Sequence, residues 1–285
     1  MNSLDYCEFY ITNVCNLSCE GCNRFNNFSF KGYQRWEDYS DIYRQWSKKI
    51  DLKSIAILGG EPLLNPTFMA WIKGLTDLWP RAYFRIISNG YHLNKVNGFY
   101  DFLKSNPRCS LWIGLHNKQK KKFISNQLLS FLEGPCIVEF NNDNPYQEFL
   151  IYKDQNGVSV RIEYNWWFHQ GALIKNDLGL GLHNSDPIKA HDICNMKSCH
   201  HFIKGKLYKC GVAALLPEFD QQNTLSLSSE DRELMMSYRP LDIDSNDDIL
   251  DKFIKELGKP IPQCRFCPES YQGKQIFAIE KNHDR

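Results

Sequence analysis

Cys15, Cys19 and Cys22 put three thiols within eight residues, directly after a strand-like run from Tyr6 to Ile11. Three thiolates serve three irons of a cubane and leave the fourth iron without a protein ligand. That suits a small molecule bound at the open iron, since ordinary electron-transfer clusters take four cysteines. The same spacing also serves a zinc knuckle, or three thiols buried as small apolar residues. Gly59-Gly60-Glu61-Pro62, Ser88-Asn89-Gly90 and Gly114-Leu115-His116 each follow a later strand-like run. A glycine pair at a strand end lets a backbone approach a ligand closely, although taken alone the first two are turn sequences. Cys194, Cys199, Cys210, Cys264 and Cys267 lie beyond residue 190. Thiolate tetrads drawn from such a set suit either an iron–sulfur cluster or structural zinc.

The elements that must carry these residues alternate. Strands are expected at Tyr6–Ile11, Ser54–Leu58, Ala82–Ile87, Ser110–Leu115, Cys136–Phe140 and Val158–Tyr164. Helices are expected over Trp36–Ile50, Pro66–Leu78, from Asn94 to before Pro107, over Lys118–Leu132 and over Pro145–Lys153. Strand and helix in turn is the pattern of βα units with parallel strands, whose connecting loops carry function at one end of the sheet. Beyond Trp166-Trp167 a Gly-rich, polar passage without clear period reads as a connector. The following segment holds a hairpin, Cys199–Ile203 and Lys206–Cys210 about Lys204-Gly205. The expected division is therefore 1–168, a connector 169–190, and a small cysteine-rich unit 191–285. In the sixth strand Arg161, Glu163 and Asn165 share a face, either lining a site or forming a polar outer edge.

The order and spacing of these motifs resemble the radical S-adenosylmethionine (SAM) superfamily, whose hallmark is Cys-x3-Cys-x2-Cys after the first strand of a partial (β/α)6 barrel. The resemblance implies that Cys15, Cys19 and Cys22 hold a [4Fe–4S] cluster. Gly59, Gly60, Glu61 and Pro62 correspond to the segment that binds the SAM amino group, with Glu61 offering its carboxylate. Ser88, Asn89, Gly114 and His116 stand where strand-end residues contact SAM. One departure is Gly21, where the family has an aromatic residue before the third cysteine, so Phe25 or Phe28 would have to flank the adenine. Gly205-x4-Cys210 with a distant Cys-x2-Cys is similar to the shortened SPASM module called twitch, in which four cysteines bind an auxiliary [4Fe–4S] cluster. Cys210, Cys264 and Cys267 fit that pattern, and Cys194, separated from Gly205 by ten residues, competes with Cys199 for the fourth place.

What the resemblance implies chemically is reductive cleavage of SAM and hydrogen abstraction from a substrate C–H bond by a 5′-deoxyadenosyl radical. An auxiliary cluster accepting an electron makes the reaction an oxidation, for which a small molecule of sugar or amino-cyclitol type is expected. The alternatives are a peptide-modifying enzyme and a redox-neutral epimerase or mutase. Arg161 and Glu163 are candidate catalytic residues, and the electron donor would be a flavodoxin or ferredoxin. A non-enzymatic iron–sulfur or zinc protein is the reading from another class, and it gives Gly59-Gly60-Glu61 no role.

Composition agrees with a globular protein: 42% of the 285 residues are hydrophobic, enough to fill a core. With 34 basic and 33 acidic residues the net charge is +1, which gives no electrostatic footprint for nucleic acid or a membrane surface. No signal-like start and no run of 18 apolar residues appears, so the expectation is a cytoplasmic protein. Eleven cysteines in a reducing compartment point to metal binding or catalysis rather than disulfides. Cys7, Cys109 and Cys136 fall in strands and read as core residues.

Overall fold

The computed structural model describes residues 2–141, 149–164, 167–169, 171–270, 273–275 and 278–281. It is a mixed α/β fold built on a nine-stranded sheet. The strands, in chain order, are β1 (Cys7–Tyr10), β2 (Ser54–Leu58), β3 (Tyr83–Ser88), β4 (Cys109–Gly114), β5 (Cys136–Asn141), β6 (Phe149–Asp154), β7 (Ser159–Glu163), β8 (His201–Ile203) and β9 (Lys206–Tyr208). They lie side by side as β9-β8-β1-β2-β3-β4-β7-β6-β5. The six from β8 to β7 are parallel, and β9, β6 and β5 are antiparallel to their neighbours.

Alternation within the strands sorts the two faces. Phe9, Ile55, Ile57, Phe84, Ile86, Leu111, Ile113, Val160 and Ile162 are buried in one large core. That core lies under α1 (Trp36–Lys49), α2 (Phe68–Leu78), α3 (Phe99–Ser105) and α4 (Lys121–Phe131), which supply Tyr43, Trp46, Trp71, Leu75, Phe99, Ile124 and Leu128. Such helix-to-sheet burial is the main driving force for a βα layer. In α1, Glu37 and Asp38 in the first turn and Lys48 and Lys49 in the last complement the helix dipole. The opposite face carries Glu8, Tyr10, Ala56, Leu58, Arg85, Trp112, Arg161 and Glu163, and there the site is found.

Two differences from the sequence expectation share one cause. The segment read as a helix, Pro145–Lys153, contains strand β6 from Phe149 (residues 142–148 lie outside the described residues). Its run Phe-Leu-Ile-Tyr suits a pleated surface, and both β5 and β7 offer it an antiparallel partner. The fifth βα unit therefore becomes a meander, and β5 sits at the sheet edge instead of among the parallel strands. The sixth parallel strand is β8, from the expected hairpin. This hairpin does not stand apart in a separate unit: β8 pairs with β1, the Trp46 indole donates to Gly205 O at 2.8 Å, and Gly205 N donates to the Tyr43 hydroxyl at 3.1 Å. Lys204 and Gly205, both with positive φ, make the expected tight turn. In the connector, Leu173–Asn176 and Gly179–Leu182 form a second hairpin that its irregular composition did not announce.

The remaining helices are α5 (Pro187–Asp192), α6 (Gly211–Asn223), α7 (Ser229–Ser237) and α8 (Asp247–Glu256). Side chains of Asp186, Ser228 and Asn246 cap α5, α7 and α8, each satisfying an amide left without an intrahelical partner. Phe219 of α6 meets Phe25, Phe28 and Phe30 at ring separations of 5.1, 5.6 and 5.5 Å. That aromatic cluster fixes the segment following the three cysteines. Among the described residues, no helix is long and apolar enough to cross a membrane.

Candidate functional site

The cysteine loop is pinned at both flanks. Leu17–Cys19 pairs antiparallel with Ala278–Glu280. Gly60 N donates to Thr12 O at 2.7 Å, and Glu61 N donates to Val14 O at 2.8 Å. The glycines are required by this crossing. A Cβ on Gly59 would stand 2.6 Å from Thr12 O, and one on Gly60 would stand 2.4 Å from Val14 O and 2.9 Å from Cys15 Cβ. Their close approach is therefore to the cysteine loop itself, a reason that a turn motif does not reveal.

Glu61 differs in placement from what was expected. It has 0% exposure and faces inward: Oε1 accepts from Leu63 N at 3.1 Å and from Ser88 Oγ at 2.8 Å, and Oε2 accepts from Asn89 N at 2.7 Å. Burial pushes its carboxyl up to about 7, against the lowering by those three donors. Glu61 thus fixes Ser88 and Asn89, and Pro62 begins the short turn it caps. Asn89 in turn donates to Asn16 Oδ1 at 2.7 Å and lies 4.0 Å from Cys15 Sγ.

These residues surround one cavity of ≈ 260 Å³ lined by Cys15, Cys19, Cys22, Gly59, Gly60, Ser88, Asn89, Gly114, His116 and Glu163. Burial keeps the His116 imidazole neutral down to about 4. Arg161 does not line the cavity; its guanidinium lies 4.3 Å from the Trp112 ring and its Nε is 2.8 Å from Glu163 Oε1. Asn165, placed on the same face by sequence, lies outside the described residues. Phe25 is fully buried beside Phe219, whereas Phe28 lines a neighbouring recess with Gly21 and Cys22.

The C-terminal cysteines divide. Cys194, Cys210, Cys264 and Cys267 line a second cavity of ≈ 90 Å³ together with Lys209. Cys199 does not. Its thiol sits beside Glu8, and burial followed by that carboxylate raises it to about 12. In the four-cysteine group, burial raises Cys210 to about 11 and Cys264 and Cys267 above the usual thiol range, and neighbouring thiols add to each shift. Asn23 lines both cavities and donates to Met196 Sδ at 3.0 Å.

Sequence reasoning passed over several neighbours. Glu8, the one acid in an apolar strand, is buried between Arg24 at 2.5 Å and His201 Nε2 at 2.6 Å and accepts from the Tyr6 hydroxyl at 2.9 Å. Burial alone raises its carboxyl, but His201 and Arg24 overcome this and hold it far below the usual range. Its place in an apolar strand was the available signal. Asn16, Asn26 and Lys281 had none. Lys281 N donates to Asn16 O at 2.9 Å, and its ammonium reaches the Asn26 and Phe28 carbonyls. His201 is fully buried against Glu8, while the adjacent His200 meets Lys209 O through its Nδ1 at 2.8 Å. Lys118, Lys120, Lys121 and Lys122 run into the start of α4, with Lys120 2.5 Å from Glu280.

Comparison with known proteins finds a match to the Radical SAM superfamily over residues 9–116. This segment, which carries the three clustered cysteines and the three strand-end motifs, is similar to radical SAM domains. Two curated relatives are similar: a GTP 3′,8-cyclase of Aliarcobacter butzleri, 30% identical over 95 residues, and a GTP 3′,8-cyclase of Nautilia profundicola, 28% identical over 183 residues. These alignments cover 33% and 55% of this chain, and 29% and 55% of the relatives' own lengths. Among solved structures, Streptococcus suis SuiB bound to S-adenosylmethionine is 19% identical, covering 42% of this chain and 27% of that one with a TM-score of 0.36.

The similarity to the radical SAM superfamily implies SAM and a [4Fe–4S] cluster, and the residues present fit both. Three thiols ring one face of the larger cavity, and burial foremost raises Cys15 to about 12 and Cys19 above the usual range. Cys15 and Cys19, so placed, need a cationic centre before they ionise. Among the described residues no three His, Cys, Asp or Glu side chains converge as they would on a single ion. A cubane takes its thiolates on separate irons and does not ask for that convergence. Beside the thiols, Gly59, Gly60, Ser88 and Asn89 line the same cavity and bring backbone and side-chain polar groups to it.

Proposed function

We propose that this chain is a radical SAM enzyme that cleaves SAM reductively and removes hydrogen from a substrate C–H bond. In this reading the six parallel strands form a partial barrel, Cys15, Cys19 and Cys22 hold a [4Fe–4S] cluster, and Gly59, Gly60, Ser88 and Asn89 bind SAM. Cys194, Cys210, Cys264 and Cys267 hold a second cluster in a twitch-like module, with Cys199 left to the Glu8 junction. One observation carries the reading: three thiols and three strand-end motifs, far apart in sequence, line one cavity.

A cluster held by Cys15, Cys19 and Cys22 would supply the electron for reductive cleavage of SAM. The protein's own share is placement. Glu61 orients Ser88 and Asn89, Asn89 ties itself to Asn16 beside Cys15, and Glu163, paired with Arg161, lines the same cavity. A flavodoxin or ferredoxin is the class of electron donor this chemistry uses.

A second cluster as electron acceptor supports net oxidation of a small molecule. The relatives' names favour a different substrate reading, cyclisation of a purine nucleotide, over the sugar or amino-cyclitol expected from sequence. Anaerobic reconstitution tests both levels. The wild type is expected to hold about eight irons. The variants Cys15→Ala/Cys19→Ala/Cys22→Ala and Cys210→Ala/Cys264→Ala/Cys267→Ala should each hold about four, and the first of them should lose reductant-dependent 5′-deoxyadenosine formation. Wild type without iron and without cleavage would overturn the proposal. Incubation with GTP separates the substrate readings: a cyclised nucleotide supports the second, and unchanged GTP during active SAM cleavage removes it.

A further inference from the structure

The cysteine loop stands at the C-terminal ends of the parallel strands; at their N-terminal ends lies a separate recess of ≈ 350 Å³ lined by Ser54, Tyr83, Arg85, Arg108, Ser110 and Trp112, among others. Ser54 and Tyr83 open strands β2 and β3, and Arg108 directly precedes β4. At ~3.3 Å per residue, β3 alone puts roughly 16 Å between Tyr83 and the Ser88 end. Trp112 belongs to both cavities and forms the partition between them.

The recess carries two guanidinium groups and no acidic side chain. Arg85 is held between aromatic rings, 5.2 Å from Tyr6 and 4.7 Å from Trp112, and among the described residues no carboxylate pairs with it. Arg108 lies 5.4 Å from the Tyr83 ring and donates to Arg81 O at 2.8 Å, which fixes its fork. The Ser54 hydroxyl is buried without a hydrogen-bond partner. Orienting a guanidinium on aromatic faces while leaving its donors unclaimed is how a planar fork is prepared for an oxyanion. A buried hydroxyl without an acceptor is also unfavourable until one is supplied.

We propose that this recess is a binding site for a phosphate monoester, distinct from the radical SAM cavity. The two arginines and Ser54 take the phosphoryl oxygens, and the organic part rests on the Tyr83 ring. The volume exceeds what bare phosphate needs, so the organic part adds to affinity. Occupancy fixes Trp112 from behind, which gives the ligand a physical route to the wall of the substrate cavity.

The test is equilibrium binding to the full chain, using inorganic phosphate, phenyl phosphate and benzoate as probes. Saturable binding at one site is expected, with phenyl phosphate tighter than inorganic phosphate and both tighter than benzoate. Arg85→Gln and Arg108→Gln are each expected to weaken phenyl phosphate by ~10-fold or more, with iron content and SAM cleavage unchanged. Arg108 is exposed, so its variant keeps the experiment decisive if Arg85→Gln does not fold. Any of three results overturns the proposal: no saturable binding below ~10 mM, undiminished binding in Arg108→Gln, or benzoate binding as tightly as phenyl phosphate.

Discussion

Glu61 is a carboxyl held away from water by three donors, and its proton affinity follows from that. An ordinary value of 4.5 becomes about 7 because burial outweighs the hydrogen bonds. A folded value above the unfolded one means that the native state holds the proton more tightly. Stability from this group is complete below about pH 4.5 and is lost as the pH rises through about 7. Urea denaturation of the protein without added SAM, from pH 4.5 to 8, is expected to show that decline, and Glu61→Gln to flatten it. An equal slope in both proteins would assign the titration elsewhere. At this scale the sequence was informative about chemistry and less so about direction. The Gly-Gly-Glu motif could be found from its type and spacing, but the inward turn of Glu61 depends on Leu63, Ser88 and Asn89 meeting it in three dimensions.

At the scale of elements, the cysteine loop has little regular structure of its own and borrows rigidity from helix α6. Phe219, fully buried, meets three phenylalanines that follow the thiols within a few residues. Phe219→Ala should cost about 3–5 kcal/mol by chemical denaturation, and iron retention after reconstitution should fall with it. Iron content and stability equal to wild type would show that the loop is held by other contacts. The strands and helices up to residue 132 were legible because apolar alternation and helical periodicity were both strong there. Legibility failed where one segment suited two partners: Phe149–Asp154 became a strand because β5 and β7 flank it, a fact of assembly that local composition does not carry.

For the whole molecule, Glu8, Arg24 and His201 join three separated pieces of chain: the first parallel strand, the cysteine loop and the C-terminal hairpin. A buried pair resists loss of one partner because the other charge is stranded. Glu8→Gln should therefore cost about 3–5 kcal/mol, and Glu8→Gln/Arg24→Gln should cost less than the two single changes added together. Additive costs would show that the charges do not act as a unit. The division into two units read from sequence missed this junction, since a hairpin with its own turn signal gives no hint that its strand will extend another sheet.

The pairing of Leu17–Cys19 with Ala278–Glu280 also sets an order of events during synthesis. Roughly 260 residues separate the two partners, so the ribosome makes the thiols long before the strand that braces them. A contact so distant along the chain closes late in folding. The cysteine loop is thus complete only after residue 280 has emerged and docked, and iron delivered to the nascent chain would meet a loop not yet braced.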